Sequence, residues 1–336
     1  MKNKVLITGA SGFIGSFLVE AALHQGFEVW AGIRHTSSRE YLRDERIKFI
    51  ELDFSSEENL KKEITSLVEE HGGFDYVIHN AGITYAPKKK DFIQVNYSYT
   101  KNLTNAILTS GMSMEKFVLI SSLAALGPGN SETFEPIKIS DAPHPISTYG
   151  KSKLMAEQHL RSLSSFPYLI INPTAVYGPR DKDFLGFIKL INHGFEFYVS
   201  SNRQMISLLY VKDLAKAVML AMKSPSQNHS YLISDGFDYD KEQLGEIIKK
   251  ILGKKTLKYK LPATPFRWAI KGIETIYLMF GKQPFLNVEK VNEISSANWK
   301  CDSEEIWRDI RTSPEFTLEK GMEETLDWYK ENGWIK

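Results

Sequence analysis

The sequence predicts an α/β fold: a Rossmann-type doubly wound parallel sheet with a smaller, mainly helical C-terminal substrate region. Three observations carry this expectation. Six short apolar, β-branched runs alternate with longer segments whose apolar residues recur every three or four positions. The runs lack polar alternation, as strands covered on both faces do. The first run enters a glycine-rich turn and then a helical pattern, the opening of a nucleotide-binding βαβ unit.

Strands are expected at 5–8, 28–33, 48–52, 76–79, 117–121 and 168–172, with helices at 13–24, 57–70, 95–110 and 147–163. After residue 172 the alternation fails. Helices are expected at 183–193, 211–222, 240–252, 265–280 and 318–332, with a short strand at 231–233. On this reading residues 1–176 form the dinucleotide-binding domain, to which 206–234 return. Residues 177–205 and 235–336 form the substrate region over the carboxyl edge of the sheet. The 265–280 stretch, PFRWAIKGIETIYLMF, is apolar enough for a lid or a membrane-surface helix. Arg267, Lys271 and Glu274 supply one polar stripe, so packing within the smaller region is the expectation.

Composition excludes several classes. The 42% hydrophobic and 25% charged content is ordinary for a soluble chain of 336 residues. A net charge of +1 gives no support to nucleic-acid binding. The basic clusters at Lys88–Lys90 and Lys254-Lys255 are short and read as solvated loops. A single cysteine, Cys301, excludes an internal disulfide and a cysteine zinc cluster and fits a reducing compartment. No metal site is expected. MKNKVLITGA is too short an apolar start for a signal peptide, and no run of about 18 apolar residues occurs. A cytoplasmic enzyme without membrane association is expected.

The first strand runs into Gly9-Ala10-Ser11-Gly12-Phe13-Ile14-Gly15. Glycines there permit a tight turn and let backbone amides approach a pyrophosphate, which then sits at the positive end of a helix. At the end of the second strand an NAD enzyme places a carboxylate for the ribose hydroxyls. Here Ile33 is followed by Arg34, with Ser37 close behind and no acid before Glu40. A cation with hydroxyl donors suits a 2′-phosphate, so NADP(H) is the expected cofactor, with NAD(H) as the alternative. An exposed surface arginine is the competing explanation. After the third strand Asp53 suits the adenine amino group, with Phe54 flanking the ring, unless Asp53 merely caps the next helix.

Tyr149 and Lys153 stand four apart, one turn along one helical face. A phenol ordinarily loses its proton near pH ~10, and a cation one turn away favours the phenolate. Tyr149 is then equipped as a general acid or base. Ser121 and Ser122 emerge from the fifth strand, where a hydroxyl can hold a substrate carbonyl oxygen.

In this order the motifs resemble the extended short-chain dehydrogenase/reductase, or NAD-dependent epimerase/dehydratase, family. The markers are TGASGFIG at 8–15, Asp53, His79-Asn80-Ala81-Gly82, Val95-Asn96, ISSLAALG at 120–127 and Tyr149-Gly150-Lys151-Ser152-Lys153. Asn172-Pro173-Thr174-Ala175-Val176-Tyr177-Gly178-Pro179, Tyr210-Val211-Lys212-Asp213 and a closing Trp328-Tyr329 with Gly333-Trp334 extend the resemblance over nearly the whole chain.

The resemblance implies that Tyr149 is the catalytic acid/base, assisted by Lys153, and that Ser122 rather than Ser121 is the catalytic hydroxyl. Ala81, Gly82 and Thr84 would line the cofactor, and Pro173 and Val176 would border the nicotinamide. Substrate would lie beyond Tyr177, near 184–187 and 205–208, and a homodimer would form through the 95–110 and 147–163 helices. Leu123-Ala124 replaces the Asp-Glu pair of sugar dehydratases, which disfavours dehydration. Ala125-Leu126-Gly127 is more apolar than the Val-Tyr-Gly of many nucleotide-sugar epimerases. Together with Arg34 these departures favour the dihydroflavonol reductase and hydroxysteroid dehydrogenase-like branches. The expected function is hydride transfer between NADP(H) and a carbonyl or alcohol. The alternative is a nucleotide-sugar epimerase holding NAD. A dinucleotide-binding protein without turnover is disfavoured by the complete Ser/Tyr/Lys set.

Overall fold

All six expected strands form: β1 (Lys4–Thr8), β2 (Glu28–Ile33), β3 (Lys48–Glu51), β4 (Tyr76–His79), β5 (Lys116–Ile120) and β6 (Tyr168–Pro173). They make one sheet in the order β3-β2-β1-β4-β5-β6, with His229–Ile233 added beyond β6. Neighbours from β3 to β6 pair in parallel. This is the doubly wound order, and its direction reverses between β1 and β4. The computed structural model describes residues 3–86, 88–199, 203–279, 284 and 287–336.

The strands follow from their sequences. β5, KFVLI, is buried at every position, as a central parallel strand must be. β3, KFIE, exposes Lys48 and Glu51, as an edge strand does. The helices between them are α1 (Phe13–His24), α2 (Glu57–His71), α3 (Lys89–Phe92), α4 (Tyr99–Ser110) and α5 (Thr148–Ser162). Ser56 caps α2 by accepting from the Asn59 amide, and Gly72 ends it at φ 75°. Between α3 and α4 lies a π-helical stretch, Ile93–Ser98. Such wide turns are rare and concentrate at functional sites.

The chain divides into two compact units. The first holds Met1–Ala125, Thr148–Asn172 and Ala215–Tyr231; the second holds Leu126–Ser147, Pro173–Leu214 and Leu232–Lys336. The sequence reading places 126–147 in the first unit, whereas the structure groups Leu126–Ser147 with the second. Gly129 donates to the Asn298 carbonyl (2.9 Å) and Ile137 bridges Cys301, so this segment packs with C-terminal residues. Residues 206–214, expected to return to the first unit, belong to the second.

Within the second unit the helices are α6 (Leu185–Asn192), α7 (Val211–Lys223, whose C-terminal part belongs to the first unit), α8 (Lys241–Leu252), α9 (Ala263–Met279), α10 (Val288–Ser295), α11 (Glu304–Asp309) and α12 (Leu318–Glu331). Its core gathers Tyr177, Tyr210, Ile188, Leu244, Met322 and Tyr329. The closing Trp-Tyr and Gly-Trp pairs have a physical reason. Gly333 (φ 70°) turns the chain so that the Trp334 amide donates to the Tyr329 carbonyl (2.8 Å) and its ring meets Trp328 edge-on.

One expectation needs correction. The 265–280 helix was expected to pack within this unit; Phe280 lies outside the described residues, and the rest forms α9. Among the described side chains of α9 only Ile270 is buried, whereas Trp268, Ile276 and Met279 are exposed. The inward stripe is Phe266, Ile270 and Glu274, spaced four apart, with Glu274 accepting from the Val288 amide (3.2 Å). The polar stripe therefore faces inward in part, and most of the apolar surface faces out. Among the described residues no helix is long and apolar enough to cross a membrane.

Candidate active site

The candidate site is built within the first unit, beginning where β1 and β4 lie side by side. Gly9 adopts φ +65°, and a Cβ there would stand 2.8 Å from the Ala81 backbone nitrogen. The Gly12 amide donates to the Gly9 carbonyl (3.1 Å), closing the turn. A Cβ on Gly15 would fall on the same carbonyl oxygen, so helix and turn meet only because that position is glycine. α1 starts at Gly12 without a side-chain cap, and its first turn carries no carboxylate. Ser11, Phe13 and Ile14 are partly exposed at the turn. A cradle that side chains would fill, at an uncapped positive helix end, fits a dinucleotide pyrophosphate.

At the end of β2, Arg34 is exposed and makes no ion pair among the described residues. Its amide is held by the Ser37 hydroxyl (3.0 Å), and the Ser37 amide donates back to its carbonyl (2.9 Å). The tight turn fixes the Arg34 backbone against Ser37. Asp53 accepts from the Ser55 amide (3.0 Å), the Ser55 hydroxyl (2.5 Å) and the Asn59 side chain (3.3 Å). The Ser55 hydroxyl holds its carboxyl below the usual range. In this geometry Asp53 secures the entry to α2. Phe54 is buried, with its ring near His79 (6.0 Å) and Tyr99 (6.1 Å), so most of that ring is committed to the core.

The loop after β4 hangs on a buried histidine. The Thr100 hydroxyl donates to the Asn96 carbonyl (2.8 Å) and so accepts from His79 Nε2 (3.1 Å). His79 Nδ1 is then the acceptor for the Thr8 hydroxyl (2.8 Å), which itself accepts from the Ala81 amide (3.2 Å). Burial, reinforced by the Lys153 charge, drives the imidazole down to about 3, so it stays neutral and keeps this tautomer. Asn96, in the π-helical stretch, clasps both the amide (2.8 Å) and the carbonyl (3.1 Å) of Ile83. Ala81, Gly82 and Thr84 are thereby held beside the cradle. A Cβ on Gly82 would stand 3.1 Å from Lys153 Nζ.

Helix α5 presents Tyr149, Lys153, Glu157 and Arg161 at four-residue spacing on one face. The Ser152 hydroxyl donates to the Tyr149 carbonyl (2.7 Å) and accepts from Asn96 (2.9 Å), which locks the first turn. Lys153 is only 6% exposed and donates to the Ile120 carbonyl (2.9 Å). Desolvation lowers its ammonium to about 8, against the opposing pull of Glu157. Glu157 is itself 1% exposed and accepts from Ser121, Asn172 (2.5 Å) and Arg161 (2.9 Å). Three donors thus converge on one buried carboxyl group, which fixes its place beneath Lys153.

That network separates the two serines. Ser121 is buried and spent on Glu157, whereas Ser122 is partly exposed, its oxygen accepting from the Ala124 amide (3.2 Å). Of the remaining predicted residues, Pro173 ends β6 and Val176 lies in the strand Ala175–Tyr177, both in the second unit. Met205 and Leu208, expected near the substrate, are buried there.

Sequence reasoning assigned no role to His79, Asn96, Ser152 or Glu157. Glu157 alone left a signal, standing four residues beyond Lys153. Its charge has a measurable consequence. With Lys153 near 8, catalysis that needs the ammonium declines as pH rises through about 8. In Glu157→Gln the supporting charge is gone, so the falling limb of the kcat/KM profile moves to lower pH. An unmoved limb would remove Glu157 from the account.

A doubly wound sheet with a glycine cradle at its switch point and a tyrosine–lysine helix beside it defines a dinucleotide-dependent oxidoreductase-type enzyme. The chain belongs to the NAD dependent epimerase/dehydratase family, which matches residues 5–234. It is 24% identical to a ceramide reductase of Caulobacter vibrioides (99% of this chain, 96% of that one). It is 25% identical to a UDP-glucose 4-epimerase of Vibrio cholerae (97% and 95%). The structure of UDP-glucuronic acid 4-epimerase from Bacillus cereus in complex with NAD superposes with a TM-score of 0.77 at 21% identity, covering 98% of this chain and 99% of that one. The chain is thus an NAD(P)-dependent oxidoreductase-type enzyme of a family that includes reductases and epimerases.

Proposed function

We propose that this enzyme is an NADP(H)-dependent carbonyl reductase, or in reverse an alcohol dehydrogenase, acting through Ser122, Tyr149 and Lys153. The observation that carries this reading is the end of β2, where the Arg34 side chain is exposed and makes no ion pair among the described residues, and where its backbone amide donates to the Ser37 hydroxyl. A free guanidinium and a hydroxyl suit a phosphate monoester, whereas two ribose hydroxyls would call for a carboxylate. The cradle at Gly9, Gly12 and Gly15 would hold the pyrophosphate, and Ala81, Gly82, Thr84 and Lys153 would meet the nicotinamide half. The bound dinucleotide supplies the hydride that reduces the carbonyl carbon. Ser122 holds the carbonyl oxygen by a hydrogen bond, and Tyr149 donates its phenolic proton to that oxygen as the alcohol forms. Lys153 stabilises the phenolate left behind until solvent returns a proton. The apolar Leu123–Leu126 stretch beside Ser122 favours a hydrophobic aldehyde or ketone, and the whole-length similarity to a ceramide reductase is compatible with that.

In wild type, NADPH binds about 10- to 150-fold more tightly than NADH, the worth of one charge-assisted phosphate contact of roughly 1.5–3 kcal/mol. Arg34→Ala removes most of that margin and leaves NADH affinity nearly unchanged. Equal titration curves for the two cofactors in wild type would refute the cofactor assignment.

Similarity of comparable extent to a UDP-glucose 4-epimerase supports the second reading, in which tightly held NAD oxidises and re-reduces a sugar nucleotide. The two readings differ in cofactor release. A reductase leaves purification partly empty, takes up NADPH reversibly, and consumes it in step with the carbonyl reduced. Protein that emerges saturated with NAD and interconverts UDP-sugars without net cofactor change is the epimerase. A homodimer through the Tyr99–Ser110 and Thr148–Ser162 helices belongs to the same proposal.

A further inference from the structure

Most of the exposed large hydrophobic side chains of this protein lie on one short stretch of chain and its pairing strand. Among the described residues, nine of the thirteen such side chains belong to α9 or to the parallel ribbon of Phe195–Val199 and Leu257–Leu261. In the ribbon the register sets Phe195 beside Leu257 and Phe197 beside Tyr259. These four share one face and are exposed, with Leu257 61% accessible and the Phe197 and Tyr259 rings stacked at 5.2 Å. Glu196, Lys258 and Lys260 occupy the opposite face, where the lysines pair with Glu242 on α8. Pro262 alone separates the ribbon from α9.

α9 continues the pattern in helical form. At 100° per residue Trp268, Ile276 and Met279 cluster on the side away from the inward Phe266–Ile270–Glu274 stripe, while Ile273 borders that stripe and Tyr277 is exposed within its arc. Trp268 is 67% and Met279 80% exposed. A soluble helix ordinarily turns such an arc toward its core. Exposed apolar side chains gathered on neighbouring elements in this way, flanked by charge, mark an interaction surface.

The charge around it selects the partner. Residues 249–288 carry nine Lys or Arg and one acid, Glu274, in a chain whose net charge is only +1. Lys250, Lys254, Lys255 and Arg267 are exposed and make no ion pair among the described residues, and Lys271 lies 5.4 Å from the Trp268 ring. A second copy docking across a two-fold axis would bring positive charge onto positive charge. An anionic lipid headgroup layer meets both features at once: lysines at the phosphates, and aromatic and aliphatic side chains at the acyl boundary. The 17-residue helix lies on such a surface and does not span it.

We propose that α9 and the Phe195–Val199/Leu257–Leu261 ribbon form a docking surface for anionic membranes, which makes this a peripheral membrane enzyme. The inference stands independently of the substrate assigned above.

The test is co-sedimentation of the full-length protein with phosphatidylcholine vesicles, with and without phosphatidylserine, at low and high salt. Wild type binds the phosphatidylserine vesicles and is released by salt. Neutralising two exposed charges, Lys254→Gln with Lys255→Gln, weakens binding about 25-fold, at about five-fold per charge. Trp268→Ser with Ile276→Ser and Met279→Ser abolishes it, while the melting temperature and near-ultraviolet circular dichroism stay those of wild type. Equal binding to both vesicle types, no binding, or undiminished binding by either variant overturns the proposal. So does a wild-type dimer that ignores vesicles and that the apolar variant splits, since the face would then belong to a second copy.

Discussion

Replacing Tyr149 with phenylalanine lowers turnover by about 100-fold or more, the scale on which general acid/base groups contribute, while the dinucleotide still binds. The selectivity follows from how the residue is held. Tyr149 sits in the first turn of α5, and its backbone is secured by the Ser152 hydroxyl, which is secured in turn by Asn96. Losing one phenolic oxygen disturbs none of these bonds. Lys153→Met behaves differently. Lys153 Nζ holds the Ile120 carbonyl and lies against Gly82, so its removal injures both turnover and cofactor affinity. It also leaves the buried Glu157 carboxylate with one cation fewer. Turnover measured at saturating cofactor, with cofactor affinity measured separately by titration, distinguishes the two. Near wild-type turnover in Tyr149→Phe would end the assignment of Tyr149 as the acid/base.

The second large effect is expected at Gly15. Gly15→Val weakens dinucleotide binding about 100-fold or more, equivalent to about 2.7 kcal/mol. A side chain there falls on the Gly9 carbonyl oxygen, and backbone on both sides leaves nothing flexible to give way. α1 must then move off the turn, taking its N-terminal amides with it. Gly12→Ala is the control. Its Cβ would stand 3.3 Å from the same oxygen, a contact that a few tenths of an ångström relieve, so the affinity loss is much smaller. Titration of both variants, each first shown to be folded by far-ultraviolet circular dichroism, gives the comparison. Equal losses in the two would mean that the cradle does not depend on that close approach.

Much of the first unit was legible in the sequence because its signals are local. β2 and β4 and helix α1 have the bounds the apolar runs and helical spacing indicate, since a strand buried on both faces or a one-sided helix leaves its period in the residues themselves. The turn at 9–15 was legible for the same reason: it is seven consecutive residues, and glycine is a backbone requirement. The second unit was less legible. Strands of two or three residues, such as Met205–Ile206 and Asn298–Trp299, are too short to carry a period, and their partners are remote in the chain. The outward face of α9 was misjudged because a helical period says which residues share a face but not which way that face points.

By itself, then, the sequence determined the sheet, the cradle and the Tyr149–Lys153 pair, each a matter of residue type and spacing along one element. Tertiary structure decided which serine is buried and which is left partly exposed. Ser121 and Ser122 are adjacent and chemically alike, and only the buried Glu157, brought up by α5, takes one and leaves the other. It also decided the tautomer of His79, which depends on hydroxyls from β1 and α4, 71 and 21 residues away in the chain. Protonation, tautomer and burial belong to the group of side chains that surround a residue, and that group assembles only when strands and helices far apart in the chain come together.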